Sequence, residues 1–212
     1  MPLLSALPGA VREPGADEAG LRLHLPRDAG RAAVEDFIRG IYRRHYGATI
    51  PAFAPALVSL VAPDGEIVAA AGYRSAASGP LFLERYLGAP VEEALGRHAL
   101  RPLARREVVE IGHLAAGRRG AGPRLMLLLG PHLAQARFRW AVATLTQELR
   151  GMIARMGIVP LALAPADPDA LAADAAQWGS YYDHRPVVVA GEIQPAVRRL
   201  ALRAGAAREG GA

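Results

Sequence analysis

A glutamate stands inside an apolar stretch of this sequence, and an arginine- and glycine-rich segment follows it. Residues 108–122 read VVEIGHLAAGRRGAG. Burial in the strand that this pattern predicts would raise the pKa of Glu110, so that its carboxylate could act as a base near neutral pH and deprotonate an attacking amine. A structural ion pair with an arginine such as Arg74 is an alternative interpretation, and the two are compatible.

The segment after this strand, residues 117–122, has the composition of an anion-binding loop. Its glycines would let backbone N–H groups approach an anion, and the N-terminus of the following helix would add partial positive charge. Pro123 removes one of those N–H donors, and a solvated surface turn is the alternative interpretation. The residues predicted to bind a pyrophosphate or another anion are Arg118, Arg119, Gly120, Gly122 and Arg124.

Gly112 lies inside the predicted strand. A glycine in a strand usually marks a bulge or a place where a ligand or another backbone comes close. His113 is three residues from Glu110, so in a regular strand the two side chains would face opposite sides of the sheet. We therefore expect a packed or hydrogen-bonded histidine rather than a catalytic one, unless a bulge at Gly112 restores a common face.

Other common catalytic arrangements are absent from the sequence. The chain has no cysteine, which excludes disulfides, thiolate metal sites and thiol catalysis. No Gly-x-Ser-x-Gly motif occurs, so a serine hydrolase is not expected. No spacing of histidine, aspartate and glutamate indicates a metal site.

Periodic apolar patterns predict the elements that must position these residues. Strand patterns alternate with helical ones, and Asp64-Gly65 predicts a hairpin turn. This order predicts an α+β fold, an α/β sandwich with a mixed sheet flanked by helices. The predicted strands are 21–25, the two arms of the hairpin 55–76, 108–116, 139–146, 158–166 and 185–193; the predicted helices are 31–47, 80–98, 123–138 and 147–157, and 166–183 is a helix or a loop.

Composition indicates one globular domain. The 212 residues are 51% hydrophobic and 21% charged, which is ordinary for a folded chain. We expect a loose N-terminal tail over 1–20, a single domain over 21–194 and a basic C-terminal tail over 195–212. Because no apolar run could span a membrane and the first residues do not resemble a secretory signal, we expect a cytoplasmic protein without direct membrane insertion.

The net charge is +5, and every basic residue other than histidine is arginine. Arginine binds phosphates and carboxylates bidentately, so the excess favours an anionic ligand or an acidic partner protein. A GC-rich genome would also explain the missing lysine, although not the net excess. Nucleic acid is not expected, because the arginines are scattered and no aromatic-studded basic stripe occurs.

The stretch from Val108 to Asp167 resembles the acetyl-coenzyme A core of GNAT-type acyltransferases. In that fold a bulged strand binds the pantetheine arm, and a basic glycine loop like residues 119–122 binds the pyrophosphate. The resemblance implies a GNAT-like, mostly antiparallel mixed sheet. It also implies a thioester of coenzyme A or of acyl-phosphopantetheine as substrate, without a metal.

The sequence also resembles the acyl-homoserine-lactone autoinducer synthases, a GNAT-like branch. The motifs are Gly72-Tyr73-Arg74 with Pro80, Glu110-Ile111-Gly112-His113, and Arg31 with Val34. His113 stands where those synthases have an arginine, and their paired aspartates are absent from YGATIPAFAP. These departures leave open whether S-adenosylmethionine is the acceptor.

A broader resemblance, over roughly residues 20–193, is to the thermostable hemolysin family of bacteria. It is carried by PLFLERYL, VVEIGHLA, RWAVATLT and the block LAPADPDAL…WGSYYDHRPVVVAG. The name of that family describes a lytic phenotype and says little about chemistry.

The resemblance to acyltransferases implies roles for particular residues. Glu110 would be the base, and Tyr182 would be the general acid for the departing thiolate, with aromatic sealing of the sheet edge as its structural alternative. Gly112 and Leu114 would meet the pantetheine arm, and the 117–122 loop would bind the carrier phosphates. Arg74, Glu84 and Thr144 would bind the acceptor.

Together these features predict an acyltransferase that moves an acyl group from coenzyme A or acyl-carrier protein to an amine, such as that of an amino-acid-like acceptor. Two alternatives stay open. One is a protein that lyses membranes directly, and the other is a GNAT-like domain that binds an acyl carrier without catalysis.

Overall fold

The computed structural model describes residues 20–99 and 101–209, so the N-terminal tail predicted over 1–20 lies outside the described residues except for Gly20. Seven strands form one sheet in the order β1-β2-β3-β4-β5-β7-β6, and all neighbours are antiparallel except β4 and β5. The strands are β1 (Leu21–His24), β2 (Ala56–Val61), β3 (Ile67–Ser75), β4 (Val108–Ala116), β5 (Trp140–Leu145), β6 (Leu161–Pro165) and β7 (Val187–Glu192).

Helices cover both faces of this sheet. Apolar side chains of the first helix pack on one face, and those of the fourth helix pack on the other. The α+β prediction of a mixed, mostly antiparallel sheet flanked by helices is therefore confirmed. The helices are α1 (Arg31–Tyr46), α2 (Glu84–Leu87), α3 (Val91–Gly96), α4 (Ala121–Gln135), α5 (Gln147–Arg155) and α6 (Ile193–Glu209), and the chain forms 3₁₀ turns over Pro168–Trp178 and Tyr181–His184.

The helix α6 replaces part of the predicted basic tail. Ile193, Val197 and Leu200 recur at helical spacing, and this apolar stripe packs beside α4 and the end of the sheet. Gly130 in α4 allows the close approach, because a Cβ there would lie 3.1 Å from Val197. The arginines between these positions gave this segment the composition of a tail and concealed the stripe.

The parallel pair of β4 and β5 comes apart at the centre of the sheet. It is in register from Val108 to Ile111, whereas β4 runs on to Ala116. A bulge in β4 follows this point, because Gly72 pairs with Gly112 while Ala70 pairs with Ala115. The predicted bulge therefore forms, and it opens a gap between β4 and β5.

Candidate functional site

A cavity of about 610 Å³, which we call the main cavity, lies beside this bulge. Its floor consists of residues from β3, β4 and β5. Its walls are the segment 51–54 after α1, the segment 80–86 around the start of α2, and the 3₁₀ turns near the C-terminal end. Of the residues predicted to act, those that line it are Arg74, Glu110, Gly112 and Thr144.

Glu110 is anchored at this floor by backbone groups. Its two carboxylate oxygens accept hydrogen bonds from the N–H groups of Leu83, at 2.9 Å, and Phe82, at 3.0 Å. Burial raises the pKa of Glu110, and these two N–H donors and the charge of Arg74 oppose that rise in part. The result is a desolvated carboxyl group, held in place, that can take a proton from a ligand in the cavity.

Arg74 lies directly opposite Glu110, as its partner across the antiparallel pair β3–β4. Side chains of such partners share a face of the sheet, and both line the main cavity. Among the described residues no carboxylate forms a salt bridge with the Arg74 guanidinium. The ion pair with Glu110 that the sequence left open as an alternative is therefore an electrostatic interaction between neighbours rather than a contact. Arg74 is available to an anionic group of a ligand.

His113 lies at the bulge itself. Its φ is 53°, in the left-handed region that non-glycine residues seldom adopt. The prediction that His113 faces away from Glu110 is wrong, because the extra residue of the bulge turns both side chains toward the main cavity. Burial lowers the pKa of His113 to about 4, so the imidazole is neutral at pH 7, and its Nδ1 is buried without a hydrogen-bond partner among the described residues.

Thr144 and Tyr181 line the main cavity, whereas Tyr182 does not. The Tyr181 hydroxyl donates to the Thr144 carbonyl at 3.2 Å, and both residues line the main cavity. Tyr182 does not line it; its hydroxyl lies 2.7 Å from that of Tyr86, which does. A proton from Tyr182 would have to reach the cavity through Tyr86.

Glu84 lies outside the main cavity. One of its oxygens accepts from Val91 N–H at 2.7 Å and the other from Leu81 N–H at 2.8 Å, and Arg105 donates to the carboxylate at 2.7 Å. The carboxylate therefore holds the 80–91 segment together, including the wall that carries Phe82. Its position supports a structural role in shaping the acceptor wall rather than contact with an acceptor.

The 117–122 loop lies at the far end of β4, beside a separate surface depression of about 410 Å³. Gly120, with a φ of 82°, caps the N-terminus of α4, and Pro123 occupies the first turn as predicted. Arg118 pairs with Glu66 and Asp64, which lie in the turn between β2 and β3. The depression is lined by the predicted residues Arg118, Arg119, Gly120 and Arg124, while Gly122 lies in the first turn of α4.

Leu114 lies on the opposite face of the sheet from the main cavity, in an apolar pocket of about 110 Å³. Residues of α4, α5, α6, β5 and β7 complete the pocket. Ile111 lines both this pocket and the main cavity, at the point where β4 and β5 separate. The main cavity, which holds Glu110, and the apolar pocket therefore lie on opposite faces of the sheet at this point, with Ile111 between them.

Residues that sequence reasoning missed form most of the cavity walls. Phe53, Phe82, Tyr86 and Trp178 line the cavity, yet they come from three distant segments that carry no common motif. The sequence indicated Arg31 only as part of a motif that resembles the autoinducer synthases. Its guanidinium donates to the carbonyls of residues 24, 54 and 55 and fixes the 51–54 wall. The quoted block PLFLERYL was the one sequence signal for Phe82 and Tyr86.

Over residues 20–99 and 101–209, no cluster of His, Asp and Glu could hold a metal ion. In the same ranges no helix is both long and apolar enough to cross a membrane.

Comparison with solved structures defines the class of fold. The chain is similar to FeeM, an N-acyl amino acid synthase from uncultured soil microbes (TM-score 0.56, 12% identity, 84% of this chain and 98% of that one). It is also similar to LasI, an acyl-homoserine lactone synthase (0.55, 13%, 85% and 95%), and to MesI, a CoA-dependent acyl-homoserine lactone synthase (0.53, 18%, 87% and 95%). The fold is thus the GNAT-like fold of these synthases.

The family model described as thermostable hemolysin matches residues 24–197. The chain therefore belongs to the thermostable hemolysin family, as its sequence motifs predicted. None of the curated proteins matches the sequence.

Proposed function

We propose that this protein is an acyltransferase that moves an acyl group from a thioester to the amine of an amino-acid-like acceptor. The observation that carries the proposal is the pair of Arg74 and Glu110. An available cation and a desolvated carboxylate face the same cavity from adjacent strands, beside a bulge that separates β4 from β5. The similarity of the fold to acyl-transferring synthases supports it.

The acceptor binds in the main cavity. Arg74 holds its carboxylate, and Glu110 removes a proton from its ammonium group so that the nitrogen lone pair can attack. The amine attacks the thioester carbonyl carbon, a tetrahedral adduct forms, and its collapse breaks the carbon–sulfur bond. The nitrogen of the adduct still carries the second ammonium proton, and it loses this proton as the carbon–sulfur bond breaks. The products are an amide and a thiolate. The second proton balances the one that the thiolate then takes up, and Glu110 releases the first proton to solvent.

Protonation of the thiolate completes the reaction. Tyr86 lines the cavity and Tyr182 lies behind it in hydrogen-bond contact, so the role predicted for Tyr182 becomes that of a second donor in a two-tyrosine relay. Burial raises the pKa of both hydroxyls, so each keeps its proton near neutral pH until the thiolate appears.

The donor is a thioester of coenzyme A or of acyl-phosphopantetheine on an acyl-carrier protein. We propose that the pantetheine arm follows β4 beyond Gly112, where no β5 partner covers the strand. The carrier phosphates then meet Arg119, Arg124 and the N-terminus of α4. The acyl chain occupies the apolar pocket beside Leu114. Both donors are cytoplasmic compounds, which makes the cytoplasm the proposed location.

The test is a thioester screen with the purified chain. Octanoyl-coenzyme A and an octanoylated acyl-carrier protein are incubated with a mixture of amino acids, and free thiol and amide products are measured by a thiol reagent and by mass spectrometry. We expect thiol release that depends on an amino acid and an amide product of matching mass. Thiol release from neither donor would contradict the proposal, as would lysis of lipid vesicles by the protein alone without any amide product.

A further inference from the structure

One wall of the main cavity consists of aromatic rings. We call Tyr86, Phe82, Trp178 and Tyr181 the aromatic wall, because all four line the cavity and each ring contacts the next in this order. The ring centroids lie 5.9 Å apart for Phe82 and Tyr86, 5.5 Å for Phe82 and Trp178, and 5.4 Å for Trp178 and Tyr181. Tilted and edge contacts at these distances are favourable, and a further ring placed beside them would extend the same network.

The aromatic wall begins at the reacting group. The backbone N–H of Phe82 donates to the Glu110 carboxylate that would deprotonate the acceptor, and both residues line the main cavity. An α-amino acid bound through Arg74 and Glu110 therefore has its side chain within reach of this wall. Phe82, Tyr86 and Trp178 are only partly buried by the protein, which leaves ring surface for a ligand.

The segment 51–54, another wall of the cavity, contributes no charged side chain. The segment 51–54 reads PAFA, and Phe53 packs its ring 5.2 Å from that of His113, which is neutral at pH 7. The segment 51–54 and the aromatic wall therefore offer apolar and aromatic surface, and the charges beside the aromatic wall, Arg85 and Asp174, are paired with each other. Such surfaces suit a side chain that carries no charge.

Each charged group that lines the cavity has a partner, either in the protein or in the proposed acceptor. Arg85 forms a salt bridge with Asp174 at 3.1 Å, and Arg74 and Glu110 would be engaged by the carboxylate and amine of an acceptor. An acceptor with an additional positive charge, such as the sulfonium of S-adenosylmethionine, would find no unmatched carboxylate among the lining residues. The aromatic faces that could attract a cation already have arginines over them, Arg85 at 5.6 Å from the Phe82 ring and Arg39 at 4.7 Å from the Phe53 ring. Placing that charge in a partly desolvated cavity is unfavourable.

We propose that the acceptor is an α-amino acid with an uncharged aromatic side chain, whose ring packs on the aromatic wall. The proposal rests on the proposed acyl transfer and specifies its acceptor. Burying an aromatic ring instead of a methyl group should raise kcat/KM on the order of 30-fold for phenylalanine over alanine.

The experiment compares acceptors with octanoyl-coenzyme A as the donor. Phenylalanine, tyrosine, alanine, glycine, S-adenosylmethionine and phenethylamine, which has the ring but no carboxylate, are each assayed for amide formation. We expect phenylalanine and tyrosine to give the highest rates of amide formation. Phenethylamine should react far more slowly than these two, because it lacks the carboxylate that Arg74 would bind. A rate with glycine, alanine or S-adenosylmethionine equal to that with phenylalanine would overturn this inference while leaving acyl transfer intact.

Two variants test the wall directly. Phe82→Ala should lower the phenylalanine-to-alanine ratio of kcat/KM roughly tenfold through KM, while Phe82→Leu should keep part of it. Phe138→Ala, the same truncation of a half-buried phenylalanine outside the cavity, should leave the ratio unchanged. An unchanged ratio in Phe82→Ala would overturn the inference. If none of the acceptors formed an amide, the proposed function would be overturned as well.

Discussion

In the proposed reaction, the protonation state of Glu110 decides whether the main cavity can act on an amine. Its carboxyl group combines desolvation, which raises its pKa, with two N–H donors and the nearby Arg74 charge, which lower it. The sequence predicted the burial of this residue from the apolar run around it. Its partners Leu83 and Phe82 are 27 and 28 residues away along the chain, so no local pattern could have predicted them.

The first prediction concerns the pH profile of acyl transfer. Because a base must be deprotonated and burial raises the pKa of Glu110, we expect kcat/KM to fall on the acid side at a pH above the ordinary glutamate pKa of 4.5. Arg74→Met should move this acid limb to still higher pH, since it removes a charge that favours the carboxylate. An acid limb that moves to lower pH in Arg74→Met would contradict the account.

The second prediction concerns His113 and acid stability. Its pKa is about 4 in the folded chain and 6.5 when unperturbed, so the unfolded state binds the proton first. The free energy of unfolding should therefore fall by about 3 kcal/mol as the pH drops from about 6.5 to about 4. His113→Asn, a residue that tolerates positive φ, should lose this part of the acid destabilisation in urea titrations, whereas His98→Asn at an exposed site should not.

The bulge in β4 positions the site at the scale of elements. Gly112 in the strand predicted the bulge. The position of the bulge at His113 depends on tertiary contacts with the 51–54 wall, such as that between the rings of Phe53 and His113. A shift of one residue decides which face a side chain occupies, and this is why the predicted orientation of His113 failed. The 3₁₀ turns of 168–178 were predicted only as a helix or a loop, because their hydrophobic pattern has no clear period.

The third prediction uses the two glycines that face each other at this bulge. A Cβ on Gly72 would lie 2.9 Å from both Ala54 and His113, whereas a Cβ on Gly112 would have no atom within 4 Å. Gly72→Ala should therefore destabilise the fold by about 1–3 kcal/mol through overpacking. Gly112→Ala should leave stability nearly unchanged and lower kcat/KM for the donor, since its methyl group projects into open space in the cavity. Equal urea midpoints for the two variants would argue against the bulge geometry.

At the scale of the whole molecule, two spaces lie on opposite faces of one sheet. The main cavity carries the charged groups, the apolar pocket lies behind Ile111, and α6 closes that pocket. The sequence predicted the single sheet and its helical layers, because each element has its own pattern. It missed α6, since the apolar stripe of 193–200 is short and lies among arginines.

The fourth prediction tests α6 as part of the domain rather than a tail. A chain that ends at residue 194 loses Val197 and Leu200 from the core and should be less stable by about 3 kcal/mol or more. A chain that ends at residue 203 keeps both side chains and serves as the control. Thermal unfolding of both chains gives the comparison, and equal melting temperatures would restore the boundary predicted at 194.

The central claim is that Glu110 deprotonates an amine that attacks a thioester. The most direct measurement is the rate of octanoyl-phenylalanine formation from octanoyl-coenzyme A in the wild type, in Glu110→Gln and in Glu93→Gln, which makes the same change at an exposed site. We predict a loss of about 10²–10⁴-fold in Glu110→Gln and no change in Glu93→Gln. Wild-type rates in Glu110→Gln would contradict the account.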